Sequence, residues 1–161
     1  MNENRIVVLM TETILPASLV AVQNVVARIG KNVKIAFIED GFVHSFSDLE
    51  EGPLPERILC GYNLCQEERD RPLMSVAGKD VFTTYLTDLL ELLLKQPNGE
   101  PGDLLTDSSA NIFYVLDNAK ELCAAIAYWT ELGWCLDVYA ITEKSQWLVG
   151  NRVFSYKEKL V

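Results

Sequence analysis

The chain has a single histidine, His44, in 161 residues, and its four cysteines, Cys60, Cys65, Cys123 and Cys135, form no Cys-x-x-Cys pair. A structural zinc site needs four closely spaced nitrogen or sulfur ligands, so no metal is expected. Four scattered thiols also fall short of the disulfide framework of a small secreted domain. Basic residues are few: 14 Lys and Arg stand against 23 Asp and Glu, for a net charge of −9. A field of that sign repels phosphate backbones, and the densest basic group, Arg69 and Arg71, is diluted by Glu67, Glu68 and Asp70. No nucleic acid is therefore expected as a partner. Long apolar runs are missing too. The longest, Leu89–Leu94, is interrupted by Glu91 and does not approach a membrane span. The opening MNENRIVVLM lacks the basic-then-apolar pattern of a signal peptide. Together these absences predict a cytoplasmic protein with no membrane partner.

Several motifs are also absent. No Gly-x-Gly-x-x-Gly follows the first apolar run, and there is no Gly-x-x-x-x-Gly-Lys-Ser/Thr or Gly-x-Ser-x-Gly. Dinucleotide binding, P-loop phosphoryl transfer and the nucleophile elbow lose their signals, and no cofactor is expected. Glu39 and Asp40 form a carboxylate pair, but solvated acids at strand ends are far commoner than metal ligands.

What is present is the composition of one ordinary domain, with 49% hydrophobic and 23% charged residues and enough length to bury a core. Arg5–Met10 is an apolar, β-branched run suited to a buried strand. Leu15, Leu19, Val22, Val26 and Ile29 then repeat on one helical face, closed by Gly30. Val33–Ile38 is the next strand, so residues 5–38 read as a β-α-β unit. Residues 41–55 read as loop or one short helix, 57–60 as a strand, 63–70 as two helical turns and 73–76 as a short strand. Asp80 caps an expected helix to Lys95, with Phe82, Tyr85, Leu86, Leu89, Leu90 and Leu93 on its inner face. Residues 97–110 form a long Pro/Gly/Ser/Asp-rich loop, followed by a strand at Asn111–Leu116. Asn118 and Glu121 have capping-box spacing, before an expected helix bearing Leu122, Ile126 and Trp129. A strand at 135–141 and a hairpin at 146–156 around Gly150-Asn151 complete the chain. The expected fold is α/β: residues 1–161 as a single three-layer domain, with a mostly parallel sheet of about five or six strands, helices on both faces and a C-terminal hairpin.

The stretch ERILCGYNLCQEER carries the sharpest chemical signal. A thiol at the end of a strand and just before a helix N-terminus would sit where backbone N–H groups favour the thiolate. Cys60 is placed there by this reading, with Cys65 one helical turn on. The plainer alternative is that Cys60 packs as a small hydrophobe, as free cysteines commonly do. Asp40-Gly41 breaks a strand at the sheet edge where ligands collect in open α/β folds, which makes Thr11, Asp40, Gly41 and His44 the other candidates. His44 is either a proton shuttle there or an ordinary loop histidine.

The order of four segments resembles the DsrE/DsrF/DsrH family of small sulfur-relay proteins. They are RIVVLM with its Thr-containing loop and helix, KIAFIEDGFVHSF, ILCGYNLCQEER with Leu64 four residues after the cysteine, and RPLMSVAGKDVFTTYLTDLLELLL leading to NIFYVL. The resemblance covers about residues 4–116. Residues 117–161 lie outside it as an additional helix, strand and hairpin. It implies that Cys60 matches the persulfide-carrying cysteine and that chains assemble as trimers or hexamers. Cys60 would then accept a sulfane sulfur from a donor protein and pass it to an acceptor, with Cys65 resolving the persulfide or tuning it. Many members of that family lack the active cysteine and serve as structural subunits. A non-enzymatic interaction subunit, using the Leu-rich helix and Trp129, Trp134 and Trp147, stays open beside sulfur transfer, as does a small-molecule binder at the sheet edge.

Overall fold

The computed structural model describes residues 5–77, 82–141 and 146–157. In chain order the elements are β1 (Val7–Leu15), β2 (Val22–Gln23), α1 (Val25–Asn32), β3 (Ile35–Ile38), α2 (Asp40–Phe46), β4 (Glu50–Glu51), β5 (Arg57–Leu64), β6 (Glu68–Arg69), α3 (Asp70–Ala77) and α4 (Leu86–Lys95). They continue with β7 (Asn111–Leu116), β8 (Leu122–Thr130), β9 (Gly133–Ala140), β10 (Gln146–Trp147) and β11 (Arg152–Tyr156). A seven-stranded sheet runs in the order β1-β5-β11-β7-β8-β9-β3, and β10-β6 and β2-β4 make two small ribbons.

The class is mixed α/β. Strand directions differ from the parallel pattern expected: β1/β5, β5/β11, β7/β8 and β8/β9 are antiparallel, and β11/β7 and β3/β9 are parallel. The first β-α-β unit also changes meaning, because β1 and β3 lie at opposite edges of the sheet.

The cause is most visible in β8. Leu122, Ile126 and Trp129 fit a helical stripe, but residues 122–129 form one continuous hydrophobic run, and such a run has no decisive period. The segment is a strand buried on both sides. Cys123, Ala125 and Ala127 belong to one hydrophobic cluster, while Ala124 and Ile126 belong to the other. Its alanines let packing layers approach closely on each face. Cys123 therefore lies on a strand, not a helix. Asp117 makes the turn into it, its carboxylate accepting the amides of Ala119 and Glu121 at 2.8 and 3.0 Å.

Other boundaries shift for local reasons. The helix expected from Leu15 begins only at Val25, and Leu19 and Val20 are exposed. Ser18 instead pairs with Leu54 in a backbone bridge, and Asn24 enters the helix from the left-handed region at φ 57°. Gly30 lies inside α1 rather than ending it. Residues 73–76 are part of helix α3, not a strand. The expected C-terminal hairpin does not form, because β10 pairs with β6 while β11 enters the main sheet between β5 and β7. Asp80, the expected cap of the long helix, lies outside the described residues.

Two cores flank the sheet. Successive residues of β7 divide between them, Phe113 and Val115 on one side and Ile112 and Tyr114 on the other. The first core takes Val25 and Ile29 from α1, Phe42 and Phe46 from α2, and Leu86, Leu89, Leu90 and Leu93 from α4. The second takes Leu73 from α3 and Trp147 from β10. The loop at 97–110 holds no helix or strand, as its composition predicts. It is pinned by Gln96, whose side chain bonds Leu104 N at 2.9 Å and the carbonyls of Glu100 and Leu104.

Candidate functional site

The candidate residues separate into two regions. The first is the corner formed by β1, β5 and β11. Cys60 sits within β5, between Glu12 of β1 and Ser155 of β11 in register. The strand does not end at Cys60, as the sequence suggests, but continues to Leu64. No helix begins beside Cys60, since α3 starts only at Asp70. The helix-terminus assistance expected for a thiolate is therefore missing. Cys60 is only 1% exposed, and burial raises its thiol pKa above the ordinary 9.0, with Tyr62 opposing that shift. Burial and the neighbouring Cys60 push the Tyr62 phenol up to about 12.

Ser155, directly across the ladder, is equally buried, and its Oγ has no hydrogen-bond partner of ordinary distance and angle. Its hydroxyl opposes part of the rise in the Tyr62 phenol. At the surface beside this trio, Lys157 Nζ lies 3.3 Å from Glu12 Oε1. The corner is thus a neutral thiol–phenol–hydroxyl group near one exposed ion pair, a setting for hydrogen bonding more than for nucleophilic attack.

Cys65 is exposed and lies beyond the end of β5, its amide donating to Ile6 O at 2.7 Å. Five residues of extended chain span about 16 Å, well past the roughly 7 Å Cα limit for a disulfide, so Cys65 cannot resolve a persulfide on Cys60 in this conformation. Thr11 lies opposite Gly61, one position from the Glu12–Cys60 pair, and so points to the other face of the sheet. Its Oγ1 is buried without a partner.

The second region is α2. Asp40, Gly41 and His44 all lie on this helix, which follows β3 at the far edge of the sheet. Six strand spacings put that edge about 29 Å from β1, so these residues do not share a site with Thr11 and Cys60. The main-chain oxygen of His44 accepts Asn118 Nδ2 at 3.1 Å, tying α2 to the β7–β8 turn.

The sequence reading missed a buried polar cluster at the start of α4. Arg57 Nε donates to Asp88 Oδ1 at 2.6 Å, and the Arg57 guanidinium also bonds the carbonyls of Pro16 and Pro55. Asp88 also accepts the Tyr156 hydroxyl and the Tyr85 amide. Glu51 accepts Leu86 N at 2.9 Å and both the amide and hydroxyl of Thr87 at 2.8 Å, covering the first amides of the helix. Burial raises the Glu51 carboxyl above its ordinary 4.5. A comparable buried carboxylate, Asp70, accepts Tyr114 Oη and Trp147 Nε1 at 2.7 Å each. The available signal was charge set against an apolar run, Arg57 before Ile58-Leu59 and Asp88 within LTDLLELLL. These groups sit inside the packing and join elements. Among the described residues no group of three or more His, Cys, Asp or Glu is arranged to hold a metal ion, and no helix is long and apolar enough to cross a membrane.

The outermost strand is the remaining feature. β1 is nine residues long and pairs only with β5, leaving its other edge without a partner among the described residues. Met10 is an inserted residue between the pairs Leu9–Tyr62 and Thr11–Gly61. The side chains of Leu9, Met10 and Ile14 are 46, 52 and 65% exposed. No protein-family model, curated protein or solved structure matches this chain.

Proposed function

We propose that the chain is a non-catalytic assembly module that engages another polypeptide through β1. One observation carries this reading: a nine-residue edge strand combines a backbone edge unpaired among the described residues with four exposed large apolar side chains, Val8, Leu9, Met10 and Ile14. Proteins usually blunt such an edge with charge, proline or a cover, because unpaired N–H and C=O groups form a template for another strand. Here the inserted Met10 and Pro16 bound the regular segment, and Glu12 is its one charge. Strand addition supplies main-chain hydrogen bonds, and the apolar side chains supply burial.

Sulfur carriage on Cys60, implied by the DsrE/DsrF/DsrH resemblance, has weaker physical support. Its thiol is buried and held neutral, and Cys65 is out of reach. The test compares native-state copurification of the tagged chain with that of a Leu9→Glu/Ile14→Glu variant. A polypeptide, either a second copy or another protein, should accompany the wild type and be lost from the folded variant. A wild type that purifies as an unaccompanied monomer would refute the reading.

A further inference from the structure

Resting on the reading of β1 as the assembly element, we infer that its occupant is a second copy of this chain, paired antiparallel to β1 about a two-fold axis at Thr13. The regular segment available is Thr11–Leu15, between the inserted Met10 and Pro16. Read antiparallel against itself, this segment places Thr13 opposite Thr13, Glu12 opposite Ile14 and Thr11 opposite Leu15. A two-fold axis normal to the sheet keeps each face on its own side. The pairs agree with that requirement. Glu12 and Ile14, which lie opposite Cys60 and Ile58 in register, share one face, while Thr11, Thr13 and Leu15 share the other.

Self-pairing fits this segment for three reasons. No like charges stand directly opposite one another, which is the arrangement that destabilises a strand pair. The segment's single acid, Glu12, faces Ile14 and not a second acid across the axis, and Lys157 lies 3.3 Å from it at the surface. The Ile14 side chain, 65% exposed in one chain, gains a partner on the same face as the exposed Leu9 and the half-buried Ile58 and Tyr62. The opposite edge does not compete: β3 is four residues long. A pairing of β1 with β3 would also be head-to-tail and not two-fold.

The register makes a test that a general apolar contact would fail. Ile14→Glu puts Glu opposite Glu12 twice across the axis, whereas Ile14→Lys puts Lys opposite Glu12 twice. In sedimentation equilibrium of the purified chain, the wild type should be a dimer. Ile14→Glu should weaken it about tenfold, as two like-charge cross-strand pairs would. Ile14→Lys should retain it or tighten it at low salt. Both substitutions fall on an exposed side chain, and circular dichroism of each variant verifies its fold. If Ile14→Glu is unfolded, Glu12→Lys/Ile14→Lys replaces it, placing Lys opposite Lys twice across the axis, and its dimer must be weaker than that of Ile14→Lys. Equal weakening by Glu and Lys at position 14 would overturn this register. A monomeric wild type would overturn self-pairing. In that case copurification of a different protein, lost with Leu9→Glu/Ile14→Glu, preserves the assembly reading, and its absence removes both.

Discussion

Asp88 receives a 2.6 Å hydrogen bond from Arg57, and the two side chains are enclosed where β5 meets the first turn of α4. Burial raises the Asp88 carboxyl while the Arg57 guanidinium opposes the rise. Removing one partner leaves the other buried without its counter-charge. Such losses typically cost about 3–5 kcal/mol, whereas replacing both partners by apolar groups of similar volume is much less damaging. Arg57→Ala should therefore lower the unfolding free energy by about that amount in urea titrations. Arg57→Met/Asp88→Asn, which keeps an acceptor for Tyr156 and Tyr85, should lose markedly less. Equal losses would show that the pair itself, rather than the orphaned charge, governs stability here.

The four thiols should separate by burial. Cys65 is exposed, Cys60, Cys123 and Cys135 are buried, and burial lifts Cys123 to about 12. In the native protein at pH 8, a disulfide reagent should modify one thiol quickly, and Cys65→Ser should abolish that phase. All four should react in denaturant. Folded-state pKa values above the ordinary 9.0 also fix a sign: the protonated thiols favour the fold, so their contribution is complete below pH 9 and lost as pH rises through the raised values. Cys123→Ala should make the decline in stability between pH 9 and 12 shallower. Native Cys60 reacting as fast as Cys65 would refute the burial argument.

A second pH dependence lies in the acid range. Burial is the main cause that raises Glu51, against the hydrogen bonds from Leu86 and Thr87. A carboxyl with a raised folded pKa contributes stability that is complete below its ordinary 4.5 and lost as pH rises through the higher folded value. Wild-type stability measured from pH 4 toward neutrality should therefore fall relative to Glu51→Gln, which has no proton to lose. A constant difference between the two proteins across that range would mean that Glu51 titrates normally.

The parts of the fold that were legible in sequence are those fixed locally. Asn111–Leu116 reads as a strand because its apolar run is short, β-branched and aromatic, and bounded by polar residues. The 97–110 loop announces itself through Pro, Gly and Ser. Cys60 was misplaced because Gly61-Tyr62-Asn63 looks like a strand ending, whereas Gly61 is required there by the close approach of Thr11 and Phe154. The Arg57–Asp88–Tyr156 group was illegible because it joins residues 31 and 68 positions apart. The Ile14 patch was hidden for a different reason. The sequence ends the first strand at Met10, short of Ile14, whereas β1 runs on to Leu15, and only the strand order puts it at the edge.

Gly61 offers a test of that corner's geometry. A Cβ built there would fall well inside contact distance of Thr11 Oγ1 and 3.0 Å from both Arg152 Cδ and Phe154 Cε1. The Thr11 hydroxyl is buried without a partner, so it contributes little while occupying the space. Gly61→Ala should cost about 1–3 kcal/mol, the usual range for overpacking. Thr11→Ala alone should cost far less, and adding it to Gly61→Ala should recover a large part of the loss. Adding Thr11→Ser, which keeps the hydroxyl, should recover little. The coupling between the two sites, read from a double-mutant cycle in urea, is the measured quantity. A coupling near zero would place the crowding on Phe154 or Arg152 instead, and the β1–β5 register at Thr11–Gly61 would need a different account.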